Sequence, residues 1–217
     1  MEAAGFRLRA ACGIAGPVAF TAAWVASTLH QTGYSIAEEH LSGLAAPDAR
    51  DPEIMLAGFL ALGACTTAFG SALSEALGRP GRAGPGPWLV RCAGLGTVAA
   101  GLLRRDSMLL HPPGAAAGQS WHNHGHDLAS GIVYAALLAA PLLLARRFDG
   151  DPDWSRLRGP ALAASLATAA LLAVFWSEVL EPWNGIVQRV AVTVPLVLMA
   201  ALAGRLLARP GATDVRG

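Results

Sequence analysis

The chain has 217 residues, 53% of them hydrophobic and 14% charged, where soluble domains carry about 25% charge. With a mean hydropathy of +0.44, this excludes an ordinary soluble domain and points to the membrane class. A formal net charge of +1 supplies no basic field, so no nucleic-acid partner is expected.

A membrane-spanning helix needs about 20 mostly apolar residues. Six runs approach this length, at about 11–29, 54–74, 88–106, 127–145, 160–177 and 186–207. The first follows Arg7 and Arg9 and has the outline of a signal peptide. It is longer than a signal core and five more apolar runs follow it, so it reads as an uncleaved span, bent at Pro17. A polar connection over 30–53 leads to the second run, where Gly58, Gly63 and Gly70 offer close approach to a neighbouring helix. Residues 78–86 are a Gly/Pro/Arg loop.

The third run ends on Arg104-Arg105-Asp106, and the fourth is preceded by Ser120-Trp121-His122-Asn123-His124-Gly125-His126-Asp127. An acidic loop over 149–153 precedes the fifth run, and 178–184 forms a tight turn before the sixth. The sixth carries Arg189 just inside its start and Pro195 midway, where a second bend is expected. Cys12, Cys65 and Cys92 are too scattered for a disulfide framework or a CxxC metal site and read as small packing residues. All basic residues are arginine, which with abundant Ala, Gly and Pro points to GC-rich coding rather than to a mechanism. The expected architecture is all-α: one integral membrane domain over 1–217, a polytopic six-helix transmembrane bundle.

Arginine placement sets the expected orientation. With the N-terminus in the cytoplasm, twelve arginines (7, 9, 79, 82, 91, 146, 147, 156, 158, 205, 209 and 216) fall inside. Four (50, 104, 105 and 189) fall outside, so both termini are expected to be cytoplasmic, in a multi-pass protein of the cell membrane. All six histidines then lie on the outer side, with Trp121, Trp183, Glu38, Glu39, Asp106, Asp127, Glu178 and Glu181. Any chemistry is expected there.

Gly33-Tyr34-Ser35, Leu41-Ser42-Gly43-Leu44, Asp106, His126-Asp127-Leu128-Ala129 and Gln188-Arg189 together resemble a bacterial six-helix membrane family. That family is filed as a domain of unknown function, number nine hundred and ninety-eight. The resemblance implies the six-helix fold and carries over Ser42, Asp106, His126 and Arg189. It implies no activity, and His122 and His124 fall outside its pattern.

Several constellations stand open in the sequence. Asp106 and Arg189, at the ends of spans, read either as an ion pair locking helices together, with Glu178 as another partner for the arginine, or as a substrate-facing polar site. His122 and His126 share a face if the fourth helix begins early, a spacing that suits zinc or copper with Asp106, Asp127 or His111. The Gly between the histidines favours irregular backbone and a metal-free cluster. Ser42, His126 and Asp106 could form a nucleophile, base and orienting acid. Trp24, Trp121, Trp176 and Trp183 read as an interfacial belt, or as π faces for a cation.

Three function classes follow. The favoured one is a terpene-cyclase-like enzyme doing acid–base chemistry on a lipid or isoprenoid substrate. Its catalytic residues would be Asp106, His126, Glu178 and Arg189, with Glu181 as another acid. Arg105, Trp121, Trp183, Gln188 and Ser42 would line the substrate site. The alternatives are a metal- or anion-binding transport protein using the histidines, and a structural membrane protein. The lipid bilayer is the expected partner in each.

Overall fold

A computed structural model describes residues 2–78, 84–106 and 120–208. Within it are six α-helices: α1 (Glu2–His30), α2 (Pro52–Ala76), α3 (Gly86–Leu102), α4 (Trp121–Phe148), α5 (Arg158–Ser177) and α6 (Asn184–Leu207). No strand occurs among the described residues. Five of the helices are long and apolar enough to cross a bilayer. The exception is α3, whose 17 residues reach about 25 Å at 1.5 Å per residue, a few ångströms short of the hydrocarbon core. The chain is a multi-pass membrane protein.

Each helix packs on its sequence neighbours, and α1 also packs on α6, which closes the six into a ring. Neighbours run antiparallel, as the glycine contacts show. Along the α1–α2 seam Gly13 meets Phe69, Gly16 meets Cys65, and Gly58 meets Ala23. The α2–α3 seam brings Gly101 to Phe59, Gly94 to Gly63 and Gly70 to Arg91. At the α3–α4 seam, Gly96 faces Val133 and Gly86 faces Leu144. Side-chain-free positions let backbones approach, which is how helices associate in lipid where no hydrophobic force separates helix from solvent. Cys12 and Cys65, far apart in sequence, bring their thiols together across the first seam, and all three cysteines are free.

The helices pass through Pro17, Pro141 and Pro195 without ending. Two boundaries differ from the sequence expectation. The third helix stops at Leu102 rather than reaching Asp106, because Leu103 leaves helical geometry (φ −87°, ψ 72°). The fourth begins at Trp121 rather than near 127. Ser120 caps it by accepting the Asn123 N–H, so the polar histidine stretch forms the first turns of the helix despite Gly125.

Candidate functional site

The ring encloses a cavity of about 290 Å³. Its lining on α4 runs from His126 to Leu144, five turns and about 27 Å of helix. The cavity is thus a slot elongated along the bundle. The deep part is apolar, with Phe20, Phe59, Phe69, Leu144, Met199 and Leu202 among its walls. Thr66 and Thr97 lie midway, the latter returning its hydroxyl to its own helix at Ala93 O (2.8 Å). Polar groups gather at the end where α4 and α6 begin: His40, Ser42, Arg105, His126, Asp127, Ser130, Tyr134 and Gln188.

His126 is buried, and its Nδ1 lies 2.7 Å from Ala100 O and 3.0 Å from Leu103 O. Two carbonyl acceptors require a proton on Nδ1, so Nε2 is the unprotonated nitrogen of the neutral ring. His126 thereby satisfies carbonyls at the C-terminus of α3 that have no intrahelical partner. Arg105 donates from Nη1 to His40 Nδ1 (3.2 Å), and the His40 ring tilts against Phe175 with centroids 5.0 Å apart. Burial, then the Arg105 and Arg189 charges, push His40 down to about 4, so it is neutral near pH 7. No carboxylate lies within ion-pair distance of Arg105 among the described residues.

Gln188 and Arg189, side by side on α6, each hold one of the chain's two tyrosines. Gln188 accepts the Leu41 N–H at 2.8 Å and donates to Tyr134 Oη at 2.9 Å. Arg189 is buried and donates to Ile36 O (3.1 Å), Glu39 O (2.8 Å), Gly185 O (2.9 Å) and Tyr34 Oη (2.5 Å). Its guanidinium also lies 5.5 Å from the Trp24 ring centroid and 5.7 Å from that of Tyr34. Burial raises Tyr34 above the usual phenol value against the opposing pull of Arg189, and raises Glu39 above the usual carboxylate range. Thus α6 pins the 34–41 connection over the polar end of the cavity.

The profile of a family described as "Protein of unknown function (DUF998)" matches residues 14–205. The chain belongs to that family. No curated protein and no solved structure matches it. Membership fits the geometry, since both the Gln188-Arg189 pair and the 33–44 motifs that suggested the family are fastened to each other here.

Of the residues that the sequence placed in one site, Ser42, Arg105, His126 and Gln188 line the cavity and the others do not. Asp106 does not meet Arg189. Its carboxylate accepts the Ser120 N–H (2.7 Å) and hydroxyl (2.6 Å), and its own N–H donates to Asn123 Oδ1 (3.1 Å). Those Ser120 bonds hold its carboxyl below the usual range. Asp106 therefore fastens the N-terminus of α4. The Ser42, His126, Asp106 triad is not assembled, because His126 Nδ1 is spent on carbonyls and Asp106 on Ser120. Ser42 and His126 do share the cavity wall.

Glu178 sits exposed in left-handed backbone (φ 55°) at the end of α5, outside the cavity lining and with no ion pair to Arg189. Trp121 and Trp183 are exposed and Glu181 is too, all outside the lining. His122 shares α4 with His126 at i and i+4 but is exposed, and its ring lies tilted against Trp121 with centroids 3.7 Å apart. No group of three metal-type ligands exists among the described residues. His111, and Arg79, Arg82, Arg209 and Arg216 from the orientation count, lie outside the described residues.

Sequence reasoning missed Tyr134, Phe175 and His40 as parts of the site. Tyr134 is the sole phenol inside an apolar run, an intramembrane polar group whose hydroxyl needs a partner. That signal was available. Nothing in the sequence marked Phe175, which enters only through the ring closure of α5.

Proposed function

We propose that this protein holds a single-chain lipid or isoprenoid in its central cavity, with the polar head at the His40, Arg105, His126 end. The observation that carries this reading is the slot's combination of apolar depth, polar end and small volume. Pockets for drug-sized ligands run from about 300 Å³ upward, so about 290 Å³ suits one chain and is small for a two-chain lipid. Among the lining residues, Asp127, Gly131 and Trp176 are exposed, and all lie on α4 and α5. Such exposure supports entry sideways from the bilayer between those helices. An acid–base step on the bound chain, the terpene-cyclase-like reading, would fall to His126 Nε2 and Asp127, since Asp106 and Glu178 are occupied or remote.

Native mass spectrometry of protein extracted in mild detergent tests this. A single-chain lipid should co-purify with the wild type and be at least tenfold depleted in the Ala93→Leu, Ala140→Leu variant, which fills the slot from two buried lining positions. Wild-type protein that carries no such lipid and takes none up on reconstitution would sink the reading.

We also propose that all six helices span the membrane with both termini cytoplasmic. Packing of α3 along α2 and α4 and the arginine bias support this. In a background with the three cysteines replaced by Ala, Glu181→Cys should react with an impermeant thiol reagent added to intact cells, and Asp149→Cys should not. The reverse labelling would invert the topology.

A further inference from the structure

We propose that the head of the ligand is an oxyanion, a carboxylate or phosphate ester, and that Arg105 binds it. The inference rests on the cavity reading above and adds the head-group class. Arg105 is the arginine in the cavity lining, half-buried at its polar end. Among the described residues five arginines meet carboxylates, including Arg9 with Glu75 at 2.6 Å, Arg104 with Glu53 at 2.9 Å and Arg147 with Asp151 at 2.9 Å. Arg7, Arg50, Arg91, Arg146 and Arg156, which have no such pair, are exposed. Arg189, which meets none, is held by four oxygens and two ring faces, with only its Nε left over.

Arg105 has neither solution. Its one hydrogen-bond partner among the described residues is His40 Nδ1, an uncharged acceptor, and its Nε is buried with no partner. Residues 107–119, next in the chain, contain no acid at all. A cation withdrawn from water without a counter-charge is costly, and a planar guanidinium offers forked donors that match the oxygens of a carboxylate or phosphate.

The other charged group in the lining is Asp127. It is exposed on α4, and its Oδ2 accepts from Asn123 Nδ2 at 2.9 Å. It is not within ion-pair distance of Arg105. The head therefore sits on the Arg105 and His40 side, while the chain runs down toward Leu144 and Leu202.

The test compares farnesyl phosphate, farnesol and inorganic phosphate on purified full-length protein, by titration with a thermal-shift readout. Farnesyl phosphate should bind wild type at least tenfold more tightly than farnesol. Arg105→Gln should abolish that preference and still bind farnesol, which shows the variant is folded with its slot intact. Arg105→Lys should keep part of the preference, since it keeps the charge and loses the fork. Equal binding of phosphate and alcohol to wild type would overturn the head-group assignment and leave the cavity reading standing. Failure of both chains to bind would overturn the cavity reading as well. Inorganic phosphate that binds as tightly as the farnesyl ester would show a free-anion site and overturn the amphiphile.

Discussion

Replacing Arg189 with methionine is expected to lower the apparent melting temperature in detergent by about 10 °C. The expectation follows from what the guanidinium holds. It is 7% exposed and bridges α6 to the backbone of Ile36 and Glu39 and to the Tyr34 hydroxyl. A hydrogen bond to a charged group contributes about 1.5–3 kcal/mol, and methionine removes at least two that no other donor replaces, so the cost is about 3–5 kcal/mol. In a domain of 150–250 residues each kcal/mol moves the midpoint by about 2–4 °C. Lysine should rescue little, since one ammonium cannot reach carbonyls and a phenol on divergent sides as the fork does. A variant with methionine that melts within about 2 °C of wild type would show the clamp to be dispensable.

The same geometry decides what the double variant does. An Asp106–Arg189 ion pair would make the second replacement compensate the first, because removing both charges cures the charge left buried by removing one. The two residues instead hold different things: Asp106 secures Ser120 at the start of α4, and Arg189 secures the 34–39 backbone. With no shared partner their costs should add within about 0.5 kcal/mol. Asp106→Leu with Arg189→Met should therefore melt below either single variant, by the sum of the two shifts.

The sequence led toward that pair for a physical reason. Both residues are ionisable groups at span ends, and in lipid the default inference is that such groups find each other or a substrate. The inference overlooked the backbone as a partner. The 30–53 connection folds back over the ring and presents the carbonyls of Ile36 and Glu39, so a neutral acceptor set replaces the carboxylate. No pattern in 30–53 announces this, because carbonyls are supplied by every residue and only tertiary placement aims them.

The helices were legible for the opposite reason: apolar runs of spanning length are a property of composition, and lipid leaves the backbone few other conformations. Their ends were less legible. The polar histidine stretch and Gly125 read as irregular backbone, yet Ser120 caps the helix and α4 starts six residues before its expected boundary. Of the site, Arg105, His126, Gln188 and Ser42 were named from sequence and do line one cavity. Asp106, Glu178 and Glu181, the acids expected to act with them, do not, and Asp127 does.

Gly94→Val should be the most damaging small substitution in the helical seams. A Cβ at Gly94 would lie 2.6 Å from both Gly63 O and the Thr67 nitrogen, and would overlap Thr67 Oγ1. The first two are backbone atoms of α2, and Thr67 Oγ1 is itself held to Gly63 O at 2.9 Å, so no flexible end can swing aside. Valine thus forces α2 and α3 apart as bodies. Overpacking typically costs about 1–3 kcal/mol, and a clash against fixed backbone on both sides belongs at or above the top of that range. The separation also opens the ring at the seam where Leu62, Thr66, Ala93 and Thr97 line the cavity, so ligand retention should fall together with stability. Gly204→Ala is the control. Gly204 lies inside α6 with nothing within 4 Å of an added methyl, so alanine meets open space and should stabilise by about 0.4–1 kcal/mol through the unfolded chain. The pair separates packing from helix propensity, because propensity favours both substitutions over glycine. Melting temperatures in one detergent that move down for Gly94→Val and slightly up for Gly204→Ala are the expected result. A Gly94→Val protein as stable as wild type would mean that α2 and α3 are not in backbone contact.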